Sequence, residues 1–234
     1  MSPNFSILYE DNHLLVVDKP PLIATMGAAP GQESLVDVLK AYLGRKYQKP
    51  GKVYLGIVSR LDAWVSGVIV FARTSKAAER LNQQFCQRSC QKTYLAIVPD
   101  RSDFKDTGRL EHRLAKDESL HRMTVVASSD KFAHSNSIAQ FASLTYRTLG
   151  RSHRYRLLEV DLETGRKHQI RVQLWAEGCP IVGDQKYDSK ESFAKGIALH
   201  SFRLRIEHPT KKILLAFEAI PPEYWQLSRF GFKP

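Results

Sequence analysis

Hydrophobic spacing along the chain marks out short strands and a few helices. Residues 13–17 (HLLVV) form an apolar run of strand length, closed by the turn residues Asp18-Lys19-Pro20-Pro21. From Leu22 to Gln32 the chain reads as loop, punctuated by Gly27, Pro30 and Gly31. A helix is expected next. Ser34 is a suitable N-cap, and Leu35, Val38, Leu39, Tyr42 and Leu43 fall at i, i+3, i+4, i+7 and i+8. Residues 67–73 (GVIVFAR) predict a strand, Ser75 is expected to cap a second helix through Ala78, Leu81 and Phe85, and residues 93–98 predict another strand. Between Pro99 and Asp130 the pattern is weak and charged, as for a variable surface hairpin. Leu158, Val160 and Leu162 alternate strictly, which predicts a half-buried strand. The segment KHQIRVQLWAEGCP suits strand or helix by periodicity. Gly178 followed by Pro180 is a helix-ending signal and Thr164 a reasonable N-cap, so a helix is expected. Strand character returns at 199–207 and 213–219. The sum is an α+β protein, one domain over residues 1–234, with helices packed on a mainly antiparallel sheet.

Composition adds a partner class. Apolar residues make up 43% and charged residues 25%, which is ordinary for a folded chain and argues against general disorder. The charge is not ordinary: 35 Lys and Arg stand against 24 Asp and Glu, a net +11. Such an excess suits a polyanion, because each neutralised phosphate releases counterions. Cys86, Cys90 and Cys179 are too few and too irregular for a disulfide framework or a paired zinc site; Cys86 and Cys90, four apart, are expected on one helix face. The opening MSPNFSILYEDN lacks the basic and apolar regions of a signal peptide, and no apolar run is long enough to span a bilayer. A soluble, cytoplasmic protein is the expectation, with no membrane partner.

Two polar islands interrupt the apolar pattern. The first, Ser59-Arg60-Leu61-Asp62-Ala63-Trp64-Val65-Ser66-Gly67, is a loop between core elements. The second, Thr164-Gly165-Arg166-Lys167-His168-Gln169-Ile170-Arg171, crowds cations at the start of the expected helix, where the dipole disfavours them. Either this is a solvated basic turn, or an anion sits there, a phosphate or a buried carboxylate.

Read together, VVDKP, VSRLDAWVSGVIVFARTSKAA, KTYLAIV, TGRKHQIRVQLWAEGCPIVGDQKY and ALHSFRL resemble the successive motifs of RluA-type pseudouridine synthases. The resemblance runs from about Ile7 to the C-terminus, and the catalytic pattern begins at once, so no S4-like N-terminal domain is expected. It implies the pseudouridine synthase core, a long curved mixed sheet with flanking helices and a central cleft. Asp62 matches the catalytic aspartate. Tyr94 matches the tyrosine that stacks on the target base and is implicated in removing its C5 proton, and Arg171 the arginine paired with the aspartate. Arg60 matches a residue that in some members fills the gap left by a flipped base. Arg166, Lys167, His168 and Lys186 are candidate RNA contacts. The implied activity is isomerisation of particular uridines in ribosomal or transfer RNA. It requires no cofactor and no metal, and a monomer is the default expectation.

Several positions depart from the family pattern. Ser59 stands where His is common, Val65 where Thr is usual, Lys167 where a small hydroxyl residue is usual, and Pro21-Leu22 where a glycine is expected. Asp62, Tyr94 and Arg171 are retained. Two rival readings are an idle RNA-binding module on the same fold and a glycosidase. The first has no use for the retained aspartate. The second ordinarily needs two carboxylates across one bond, and Glu163 and Asp184 are the only weak candidates for a partner to Asp62.

Overall fold

A computed structural model describes residues 5–126 and 138–232. In chain order its strands are β1 (Ser6–Glu10), β2 (Leu14–Lys19), β3 (Gly56–Ile57), β4 (Ser66–Ala72), β5 (Gln91–Pro99), β6 (Thr107–Asp117), β7 (Arg122–Val126), β8 (Gln140–Arg151), β9 (Tyr155–Leu162), β10 (Leu199–Glu207) and β11 (Leu214–Glu218). The helices are α1 (Leu35–Lys46), α2 (Ser75–Cys86) and α3 (Gln169–Ala176). The chain divides into two compact units. One takes the residues up to Lys92 and returns for His200–Pro221; the other takes Thr93–Leu199 and the residues from Pro222 onward.

In the first unit the strand order is β1-β2-β4-β10, with β3 on β4 and β11 on β10. β2 runs antiparallel to β4, from Leu14 opposite Ala72 to Lys19 opposite Gly67. Every residue of β4 is buried, which explains its unbroken apolar run. Leu14, Val16, Val68, Val70, Leu204, Ile206 and Phe217 share one core, covered by Ala77 and Leu81 of α2. α1 starts as expected at Ser34, in a capping box with Asp37. The α2 cap is Thr74 rather than Ser75. Its backbone is extended and its hydroxyl accepts the Ala77 N–H at 3.2 Å, so it takes the capping position one residue earlier. Cys86 ends α2, while Cys90 lies past the following turn, so the two do not share a helix face.

The second unit has the order β5-β9-β8-β6-β7, antiparallel throughout. The weakly patterned stretch after Pro99 contains a hairpin, but not merely a surface one. β6 pairs with β8 from Thr107 opposite Arg147 to Leu114 opposite Gln140. Residues 127–130 at the end of that stretch lie outside the described residues. β8 left little trace in the hydrophobic pattern because Ala142, Ser143 and Leu144 are buried in succession, the serine by hydrogen bonding. α3 begins at Gln169, not near Thr164, and follows His168 in the left-handed region at φ 54°. Thr164 cannot cap it, because its hydroxyl already accepts the Ser143 N–H at 3.0 Å and donates to Gln169 Oε1 at 2.7 Å.

The α+β class and the largely antiparallel mixed sheet are as expected. β4 and β10 pair in parallel, where His200 faces Ser66 and Ser201 faces Gly67. Among the described residues no helix is long and apolar enough to cross a membrane. Gly67 has φ +110°, and a Cβ there would lie 2.2 Å from the Ser201 carbonyl oxygen. Backbone cannot give way as a side chain can, so Gly67→Ala is expected to lower the unfolding free energy by at least about 2 kcal/mol in urea titrations.

Candidate active site

Asp62 sits at the first corner of a β-turn, with the Val65 N–H donating to its carbonyl at 3.1 Å and Ala63 and Trp64 at the tip. The side chain is half-buried. A loop outside regular structure keeps one geometry only if its backbone polar groups are committed, and here they are. The Thr25 hydroxyl donates to the Leu61 carbonyl at 2.7 Å and accepts the Leu61 N–H at 3.1 Å. The Leu22 N–H donates to the Ala63 carbonyl at 2.7 Å.

Beneath the loop lies Lys19, with 0% of its surface exposed. Its ammonium donates to the carbonyls of Pro20 and Ile23, each at 2.8 Å, and of Ala63 at 3.3 Å. That uses all three of its donors. Burial pushes Lys19 down to about 7, while the nearby charges of Asp62 and Asp18 pull it back up. Burial also lifts Asp18 to about 6, against the pull of Lys19. Where the loop enters β4, the Ser66 hydroxyl meets His200 Nδ1 at 2.8 Å, and His200 Nε2 meets the Ala219 carbonyl at 2.8 Å. A carbonyl only accepts, so Nε2 carries the proton and Nδ1 accepts from Ser66. Burial holds His200 down at about 4, so the ring stays neutral. Val65 is buried, so an apolar side chain packs where the family usually has Thr. Arg60 is exposed and forms no ion pair among the described residues.

The other expected site residues lie in the second unit. Tyr94 is on β5 opposite Val160 and is 9% exposed. The basic turn before α3 is stitched to β8 by Gln169. Its Nε2 donates to the Ser143 carbonyl at 3.0 Å, and its Oε1 accepts the Arg166 N–H at 2.9 Å. Arg166 is half-buried and donates from Nε to the Phe141 carbonyl at 3.0 Å, while Lys167 and Lys186 are exposed. His168 Nδ1 meets the Tyr187 hydroxyl at 2.9 Å. Arg171 is buried and forms a bidentate pair with Asp184, Nε at 2.6 Å and an amino group at 2.8 Å. Its guanidinium carbon lies 5.1 Å from the centre of the Tyr187 ring.

Asp184 is therefore the buried carboxylate that accounts for a cation in the first turn of α3. The sequence alone does not reveal this role; there Asp184 suggests only a second carboxylate for glycoside cleavage. Lys19 and Thr25 were missed as supports of the Asp62 loop. The signal for Lys19 is a lysine at the end of an otherwise apolar run, inside the VVDKP motif. Thr25 gave none. The structure groups Arg60 with Asp62 on one loop, and His168 and Arg171 with Tyr187; Lys186 is only the chain neighbour of Tyr187. Among the described residues no cluster of three His, Cys, Asp or Glu side chains is arranged to hold a metal ion.

Residues 13–176 match the family model described as RNA pseudouridylate synthase. The chain is 33% identical over 231 residues to an uncharacterized RNA pseudouridine synthase, YhcT, of Bacillus subtilis; the match covers 97% of this chain and 72% of that one. It is 31% identical to tRNA pseudouridine synthase C of Vibrio cholerae, across 97% of this chain and 96% of the relative. The fold matches human RNA pseudouridylate synthase domain containing 4 with a TM-score of 0.77 and 24% identity, covering 96% and 92% of the two chains.

Two predictions follow from these buried charges. Between about pH 7 and 10 the unfolded chain holds the Lys19 proton and the folded chain does not, so stability rises with pH there, by up to about 1.4 kcal/mol per unit. Asp18 acts in the opposite sense: from about pH 4 to 6 the folded chain holds more protons, and stability falls as pH rises. Urea unfolding at a series of pH values should show a smaller upper rise in Lys19→Met than in the parent, the remainder coming from Lys92, whose pKa burial also lowers. Asp184→Asn leaves the Arg171 guanidinium buried without its bidentate partner and should cost about 3 kcal/mol in thermal or urea unfolding.

Proposed function

We propose that this chain, which belongs to the RNA pseudouridylate synthase family and so isomerises uridine in RNA, does so on an extruded nucleotide with Asp62 as its one essential carboxylate. The observation that carries the proposal is the Asp62 turn. Thr25, Lys19 and the Leu22 N–H hold its backbone, and Asp62 is left half-buried rather than sunk in the core.

The reaction breaks the C1′–N1 bond, turns the base and joins C1′ to C5. The C5 proton leaves and N1 gains one, so the overall formula is unchanged. A uridine in a stem or loop must first leave its stack, at a cost of a few kcal/mol. A carboxylate next to C1′ can attack that carbon or take the 2′ proton; either route uses one carboxylate. In this reading Tyr94 offers its ring to the base and takes part in removing the C5 proton. Arg171, oriented by Asp184, is the cation paired with the Asp62 carboxylate. Arg60 fills the space the uridine vacates, since a guanidinium both stacks and binds phosphate. Arg166, Lys167, His168 and Lys186 contact the RNA backbone. The substrate is a structured RNA, ribosomal or transfer; the Vibrio cholerae relative, matched over nearly its whole length, is named for tRNA.

Asp62→Asn is nearly isosteric and separates catalysis from binding. With transcripts carrying tritium at uridine C5, the parent should release tritium. The variant should be slowed at least about 10³-fold while its RNA affinity stays within about threefold. Release within tenfold of the parent would remove Asp62 from the mechanism.

A further inference from the structure

Three exposed large apolar residues lie on the segments bonded to the Asp62 turn, where folding alone gives no reason for them. Trp64 is 53% exposed, Leu22 59% and Met26 46%. Single exposed apolar residues are common on any surface. These three lie on hydrogen-bonded neighbouring segments around one carboxylate. Trp64 is at the tip of the turn that Asp62 opens, Leu22 donates to Ala63, and Met26 follows Thr25, which is bonded to Leu61.

Leu22 is doubly disfavoured. It follows Pro21 in a turn and has φ 67°, a position that glycine occupies without strain. A leucine that is both strained and exposed contributes nothing to the core, so its reason lies outside folding. Beside this patch stands Arg60, exposed and without an ion pair among the described residues, in a chain of net charge +11. An indole face, two flexible apolar side chains and a guanidinium match an unpaired nucleotide. Aromatic rings stack on its base, apolar side chains wedge beside it, and the cation meets its phosphate.

We propose that Trp64, flanked by Leu22 and Met26, is a stacking platform for an unpaired base next to the target uridine, and that it selects uridines with such a neighbour. The inference rests on the RNA reading above and adds residues that bind beside, not at, the reacting nucleotide.

The test uses the full chain and two fluorescein-labelled probes, a uridine hexanucleotide and an abasic ribose-phosphate oligomer of the same length, followed by anisotropy. Trp64→Ala should weaken binding of the hexanucleotide by about 5- to 150-fold and leave the abasic oligomer unaffected. Trp64→Phe, which keeps a ring, should recover most of the loss. Leu22→Gly, which removes backbone strain and so folds readily, should weaken the hexanucleotide by a smaller factor. Unchanged hexanucleotide binding by Trp64→Ala, or an equal loss on both probes, overturns the platform. So does capture of a protein partner by the patch in place of RNA. If the parent releases tritium from labelled RNA while Trp64→Ala binds as the parent does, only this inference falls. If the parent neither binds nor modifies RNA, the functional reading falls and takes this one with it.

Discussion

An ammonium without access to water persists in a protein only if its hydrogens all find acceptors and its charge finds a counterpart. Lys19 meets the first condition with the carbonyls of Pro20, Ile23 and Ala63, and the second with Asp62 and Asp18. The end of β2, the loop after it and the turn carrying Asp62 are thereby tied to one point. Thr25 and the Ser66–His200 pair add ties on either side, and Gly67 lets β4 approach β10 closely enough for that pair to form. A short loop with no regular hydrogen bonding thus acquires the rigidity of the sheet. Rigidity of this kind is what a catalytic group needs if it is not to reorganise during the reaction.

The second unit also buries a cation, with a carboxylate in place of carbonyls as its acceptor. There a guanidinium must be oriented inside the protein, and Asp184 does this through two parallel hydrogen bonds, the geometry that an arginine fork and a carboxylate share. Gln169 fixes the basic turn by bonding the β8 backbone and the turn itself, which leaves Lys167 in solvent. Fixed backbone with exposed cations is a suitable surface for phosphates, because position comes from the protein and charge meets the ligand.

Much of this was legible in the residues. β4, β10 and α1 follow from apolar spacing and a capping box, since burial on one stripe or on both strand faces leaves a readable period. β8 was not legible, because buried Ser143 interrupts its apolar pattern and its partners Thr164 and Glu163 come twenty residues later. The start of α3 was misplaced for a related reason: a cap is chosen by where a hydroxyl bonds, and the Thr164 hydroxyl bonds across to β8. Of the site, Asp62, Tyr94 and Arg171 were named from motif resemblance. The supports Lys19, Thr25 and Asp184 act through contacts 44, 36 and 13 residues away in sequence; Lys19 and Asp184 lie inside quoted motifs, but the motifs do not reveal those contacts.

We infer that one carboxylate, displayed on an over-determined turn, rearranges a uridine without releasing its base. The most direct test is nucleoside and free-base analysis of labelled RNA after incubation with the purified chain. Pseudouridine formed in step with loss of uridine, with no free uracil, is the predicted result. Free uracil in place of pseudouridine would contradict it and point instead to glycosidic cleavage.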